Sequence, residues 1–193
     1  MRKYELADVV RHLPTARCYQ PRAALGDDFY KLQCYFLTHF VYMMSDWGAH
    51  PLPPALFAEE LTFVLDNMVE VVTMKGGGHG GEYRDGVLTT GGSGEYTLGD
   101  PEIVSEFMQC LRIFQVHDTI GASCMLLGEA YLKLCHDHYG GKGQYVSADN
   151  PFYTRYHASY CASVALMAYP WDKKGACPRP SALKEPSSLW RRV

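Results

Sequence analysis

Seven cysteines are present, yet no CxxC pair occurs: Cys18, Cys34, Cys110, Cys124, Cys135, Cys161 and Cys177 stand singly and their number is odd. That excludes a zinc ribbon or a disulfide framework and fits buried thiols in a reducing compartment, the cytosol or an organelle interior. Charge of one sign is also scarce. A net charge of −3 and a pI near 6.2 give no electrostatic case for nucleic acid or an anionic membrane surface. The start MRKYELADVVRHL has no apolar h-region, so it does not read as a secretory signal. No GxxxxGK[ST] is present, which removes a phosphate-binding loop, and no GxSxG, which removes a hydrolase nucleophile elbow. No helix pattern carries ExxH, which weakens a di-iron carboxylate reading.

What is there is ordinary globular material: 193 residues, 47% hydrophobic and 20% charged, long enough for one domain with a sizeable core. The strongest signal is DDFYKLQCYFLTHFVYMM, Asp27 to Met44. At helical spacing it has no polar face, and Lys31 is its only charged side chain after Phe29. Aspartates flank it on both sides, so about 16 to 18 residues are available and a membrane span is marginal. The pattern predicts the central, buried helix of a soluble domain, with the His39 ring inside and in need of a partner.

Residues 1–26 read as an N-terminal arm with a short helix from Tyr4 to His12, and residues 27–169 as the helical domain. After Gly48 and Pro51, Pro53 and Pro54 open a helix predicted over Ala55 to Val72. On it Glu60 lies against the apolar face, where a carboxylate needs a partner. Residues 75–99 hold ten of the eighteen glycines and read as a structural insertion or lid, with a hairpin over Glu82 to Thr90 about Asp85-Gly86. Asp100-Pro101-Glu102 combines an N-cap, a Pro at the first helical position and an acid against the dipole, which predicts a helix running to about Val116. Glu106 falls at the edge of its apolar face. Asp118 caps a helix over Thr119 to His138, on which Gly121 and Gly128 share one side. The last helix is predicted over Tyr153 to Tyr169, with His157 on a buried-looking arc. Residues 170–193 read as a Pro-rich, basic tail able to wrap a neighbour. The sum is an all-α fold of antiparallel helical hairpins.

His39, Glu60, Glu106 and His157 come from four different helices. Converging, two imidazoles and two carboxylates suit acid–base chemistry or a transition metal such as iron, manganese or zinc; separately, each is simply satisfied by a carbonyl, a water or one of fourteen tyrosines. His117-Asp118 and Cys135-His136-Asp137-His138 sit at helix ends, where capping and dipole complement explain them more simply.

THFVY at Thr38 to Tyr42, EEL at Glu59 to Leu61, DPEIVSEFMQCL at Asp100 to Leu111 and YTRYHASYCA at Tyr153 to Ala162 together resemble a group of mostly bacterial helical proteins that look like α/α-toroid proteins of the squalene-cyclase and prenyltransferase-repeat type. The likeness spans roughly residues 30–74 and 100–169. It implies a partial toroid-like arrangement whose inner helices line a cavity, with His39, Glu60, Glu106 and His157 at the matching positions. The DxDD run of the toroid enzymes is absent, and their QxxDGxW repeat has at best a degraded remnant at His136 to Gly141.

Three functions remain open on this sequence. The first is a small-molecule enzyme of cyclase, isomerase or lyase type, in which Tyr35, Tyr42, Tyr156 and Tyr160 shape a cavity for an apolar or aromatic ligand and the His and Glu residues act as acid and base. The second is a helical interaction module or homo-oligomer making contacts through the C-terminal tail. The third is a His/Glu metal-dependent enzyme. No cofactor, and no particular metal, is named by the sequence.

Overall fold

The computed structural model describes residues 17–73, 87–90, 94–97 and 100–167, the two short strands by their backbone alone. The chain divides into two compact units, one formed by Met1–Cys18 with Ala168–Val193 and the other by Tyr19–Met167. Every described helix and strand belongs to the second unit. The expected helix at Tyr4 to His12 and the Pro-rich tail lie outside the described residues.

Among the described residues are five helices: α1 (Arg22–Met44), α2 (Ala58–Thr73), α3 (Pro101–Ile113), α4 (Thr119–His138) and α5 (Phe152–Leu166). Two strands, β1 (Val87–Thr90) and β2 (Gly94–Thr97), pair antiparallel between α2 and α3. The fold is therefore all-α with one hairpin. Thr90 pairs with Gly94, so the strands join through residues 91–93, downstream of the expected Asp85-Gly86 turn. That turn lies outside the described residues.

Where local chemistry is strong, the helices begin where it says they should. Asp100 accepts from the Glu102 N–H at 3.0 Å with Pro101 in the first turn, and Asp118 accepts from the Gly121 N–H at 2.8 Å. α2 starts three residues later than its prolines suggest. Leu56 and Phe57 bond back to Pro53 and Pro54 in a turn, and Phe57 O takes the first helical bond from Leu61 N at 2.9 Å. α1 starts earlier than expected and bends at Gly26, whose φ of 73° and ψ of 169° break the helix.

The central helix is α3, not α1. α3 packs against each of the other four helices, and every residue in it except Glu102 and Arg112 is buried. Phe107, Met108 and Cys110 are fully enclosed. Its polar side chains are paired: Ser105 Oγ donates to Pro101 O at 2.5 Å and Gln109 Nε2 to Cys161 O at 3.2 Å. α1 buries Tyr30, Cys34, Leu37, Phe40 and Val41 but leaves Phe29, Leu32, Phe36 and Met43 exposed. A helix apolar all round has no polar stripe to say which side stays outside.

Gly128 of α4 marks the closest approach to α3. A Cβ there would lie 2.6 Å from Met108 Sδ and 2.7 Å from its Cγ. Met108 is fully buried, so the core around it would have to shift. Gly128→Ala is therefore expected to destabilise the fold by about 1–2 kcal/mol, overpacking outweighing the better helix propensity of Ala. Urea denaturation of the variant beside the parent measures this; an unchanged or raised midpoint would contradict the packing described.

Candidate functional site

A line of polar side chains runs along α3 where it packs against α1 on one side and α5 on the other. Glu102 and Glu106 stand one turn apart on α3 and face the two flanking helices. On the α1 side, Thr38 Oγ lies 2.5 Å from Glu106 Oε2, and His39 Nδ1 lies 4.0 Å from the same oxygen. On the α5 side, His157 Nδ1 lies 3.0 Å from Glu102 Oε1. Tyr35 joins the two halves through its hydrogen bond with Glu102. Below them Lys31 forms an ion pair with the buried Asp100 and sits 5.7 Å from the centre of the Tyr35 ring.

Burial sets the protonation of this cluster. Glu106 is almost wholly enclosed. Desolvation pushes its carboxyl up to about 8, reinforced by the charges of Glu102 and Asp100 and opposed by the hydrogen bond with Thr38. The hydrogen bonds agree with a neutral acid. Thr38 Oγ also lies 3.2 Å from Tyr35 O, and a hydroxyl has one hydrogen to give. If Glu106 donates to Thr38 and Thr38 donates to Tyr35 O, both contacts are satisfied at once. Burial, with the nearby carboxylates, likewise raises the Tyr35 phenol far above its ordinary range.

The two imidazoles are oriented differently. His39 Nδ1 donates to Tyr35 O at 2.8 Å, which in the neutral ring leaves Nε2 with the lone pair. His157 Nδ1 donates to Glu102, so its Nε2 is likewise the basic nitrogen, and the Tyr153 ring stacks on it at 5.3 Å. Cys161 Sγ lies 3.9 Å from His157 Nε2 and 4.0 Å from Nδ1. Cys161, His157 and Glu102 have the composition of a nucleophilic triad but not its chemistry. The thiol is nearly equidistant from both ring nitrogens, and burial drives its pKa far up, so no thiolate is available.

The structure brings together three of the four residues singled out in the sequence. His39, Glu106 and His157 belong to this cluster, whereas Glu60 is fully buried on α2 and accepts from Tyr19 Oη at 2.8 Å. His39 was expected inside the core; its side chain is 46% exposed. The reason is the turn of α1, which directs Leu37, Phe40 and Val41 inward and Phe36, His39 and Met43 outward. Tyr35 and Tyr42 border the cluster, with Tyr42 Oη 3.4 Å from Glu106 O and its ring 5.9 Å from that of His39. Tyr156 and Tyr160 do not enclose a cavity. They stand on the exposed side of α5, stacked with Phe152 in a ladder with ring spacings of 6.3 and 6.2 Å.

Sequence reasoning did not single out Glu102, Thr38 or Lys31 for this cluster. The signal for Glu102 was its spacing of four from Glu106, which puts both carboxylates on one helix face. Among the described residues, no three His, Cys, Asp or Glu side chains are placed to hold one metal ion, and no helix is long and apolar enough to cross a membrane. A shallow pocket of 240 Å3 lies elsewhere, lined by Glu129, Leu132, Lys133, His136, Tyr145 and Leu166. There Gly143 N donates to His136 Nε2 at 3.1 Å, a loop-closing role for one residue of the Cys135 to His138 run.

No family model, curated protein or solved structure matches the chain.

Proposed function

We propose that the junction of α1, α3 and α5 is an acid–base site that moves protons on a small, apolar or aromatic carbonyl compound. The observation that carries this reading is the buried carboxyl of Glu106 4.0 Å from Nδ1 of the half-exposed His39, in surroundings whose burial raises it to about 8. A strongly shifted group beside a solvent-reachable imidazole is what proton-transfer sites are built from. His157, oriented by Glu102, supplies the base: its Nε2 takes a proton from the carbon next to the carbonyl as the C–H electron pair forms the enol double bond. His39, carrying a proton on each ring nitrogen, delivers the one on Nε2 to the carbonyl oxygen and takes it back when the enol O–H bond breaks and the carbonyl re-forms, while Nδ1 stays bonded to Tyr35 O with Glu106 Oε2 4.0 Å away. Return of the proton to a different carbon completes an isomerisation. Tyr35 and Tyr42 border the bound molecule. In the same reading the helical hairpins form a partial toroid-like set.

The test works without an identified substrate. In D2O, an enzyme that makes and unmakes enols washes deuterium into its substrate. The full chain is incubated with a mixture of small aldehydes, ketones and 2-oxo acids, and incorporation is read by mass spectrometry. The parent is expected to label at least one compound, and His157→Gln to label it about 100-fold more slowly. Labelling no faster than the buffer blank, or equal in parent and variant, contradicts the reading.

A second reading, a helical interaction module, is favoured by one feature: the row of large apolar side chains left on the outside of α1.

A further inference from the structure

After α4 the backbone crosses the left-handed region at Gly140, Gly141, Lys142 and Gly143 in succession, with φ of 88°, 74°, 58° and 77°. The glycines adopt it freely; Lys142 does not, and is held there by the bonds of the turn. Gly141 N donates to His136 O at 2.8 Å and Gln144 N to Gly141 O at 3.1 Å. Both are backbone bonds that pH leaves alone. Gly143 N instead donates to a side chain, His136 Nε2, at 3.1 Å. A backbone N–H can only donate, so Nε2 must offer a lone pair and the ring must be neutral, with its proton on Nδ1.

We infer that His136 is a pH-operated latch: the neutral ring fastens the 140–144 turn, and protonation releases it. A proton on Nε2 turns the acceptor into a donor, and two N–H groups then point at one another. The bond is replaced by a repulsion. Gly143 is exposed, so its freed N–H bonds to water and the turn opens locally while α4 stays folded. Lys142 then leaves its strained conformation, which favours the open state further. The coupling is reciprocal: closing weakens proton binding as much as the proton weakens closing.

The groups around the ring let it take up that proton. On α4, Asp137 Oδ1 lies 3.7 Å from His136 Nδ1 and favours the imidazolium, while Lys133, paired with Asp137, opposes it. Lys133 holds the Asp137 carboxyl below its ordinary range, with His136 assisting. Glu129, further back on α4, lines the same 240 Å3 pocket as His136. From the loop, Lys142 adjoins the bonded Gly143, and the Tyr145 ring lies 5.6 Å from the imidazole, close enough to attract a cation. Burial raises the Tyr145 phenol. From α5 the pocket receives Leu166, which carries no charge. The Gly143 N–H is thus the contact that turns from partner to opponent. Because His136 lines the pocket, the pocket wall gains charge in the same step that frees the turn.

NMR of the full chain, 15N-labelled at histidine and glycine, tests this between about pH 8 and about pH 5. Ring 15N shifts give the tautomer and charge of His136; solvent exchange, corrected for its intrinsic pH dependence, gives the protection of the Gly143 amide. At the upper pH the ring is expected in the Nδ1–H form with the amide protected. Protection should then fall about tenfold, with the same midpoint as the charging of the ring. His136→Gln supplies a carbonyl acceptor that does not titrate, and should keep the amide protected throughout. A ring protonated on Nε2 at the upper pH overturns the inference, as does protection that persists once the ring is charged. So does a Gln variant that loses protection in acid. Gly128, in the middle of α4, is the reference: loss of its protection at the same midpoint would mean that the helix unfolds, and would overturn the latch as well. None of these outcomes depends on whether the protein labels a carbonyl compound.

Discussion

Between pH 5 and pH 8 the parent is expected to lose about 3 kcal/mol of stability that a Glu106→Gln variant keeps. The folded carboxyl is raised from 4.5 to about 8, so over this interval the native state holds a proton that the unfolded chain has released. Stability contributed by a raised group is complete below the unfolded value and is lost as pH rises through the folded one. The loss therefore begins above about pH 4.5 and levels off beyond about pH 8. Gln removes the titration while keeping a donor for Thr38 and an acceptor of similar shape. Because other carboxylates are common to both proteins, the difference between the two denaturation curves isolates Glu106. A difference that is flat with pH, or that grows in the opposite direction, would show that the buried group is ionised.

Phe107→Ala is expected to cost about 3–5 kcal/mol, a large fraction of the stability of a typical domain. Phe107 lies at the middle of α3, wholly enclosed, with its ring 6.2 Å from that of Phe63 on α2. The neighbouring helices are held by other contacts along α3, so the void cannot collapse. The matching truncation on α1, Phe36→Ala, removes a half-exposed ring and should cost under about 1 kcal/mol in the monomer. Comparable losses at the two positions would mean that α1, not α3, is central.

That contrast shows what the sequence made legible. Helix ends held by a single local contact were readable: Asp100 before Pro101, and Asp118 before Thr119. The need of Glu60 and Glu106 for partners was readable, because each is a carboxylate beside an apolar face; which partner each takes, Tyr19 for Glu60 and Thr38 for Glu106, was not. The centrality of α3 was not readable. Ser105, Glu106 and Gln109 give PEIVSEFMQCLRI the look of a half-exposed helix; Ser105 is buried by bonding back to Pro101 O on its own helix, and Glu106 and Gln109 by their tertiary partners Thr38 and Cys161 O. Glu102 was hidden by its position. An acid in a first helical turn is explained by the dipole alone, so nothing local points to His157. Lys31 did carry a signal, as a lone charge within an apolar run, and its ion pair with Asp100 is the answer to it.

The central claim is a protonated Glu106 beneath His39, and carboxyl titration by 13C NMR of protein labelled at glutamate Cδ addresses it most directly. The account predicts one glutamate resonance that titrates near pH 8 and vanishes in Glu106→Gln. A spectrum in which every glutamate has ionised by about pH 6 would contradict it, and with it the acid–base site.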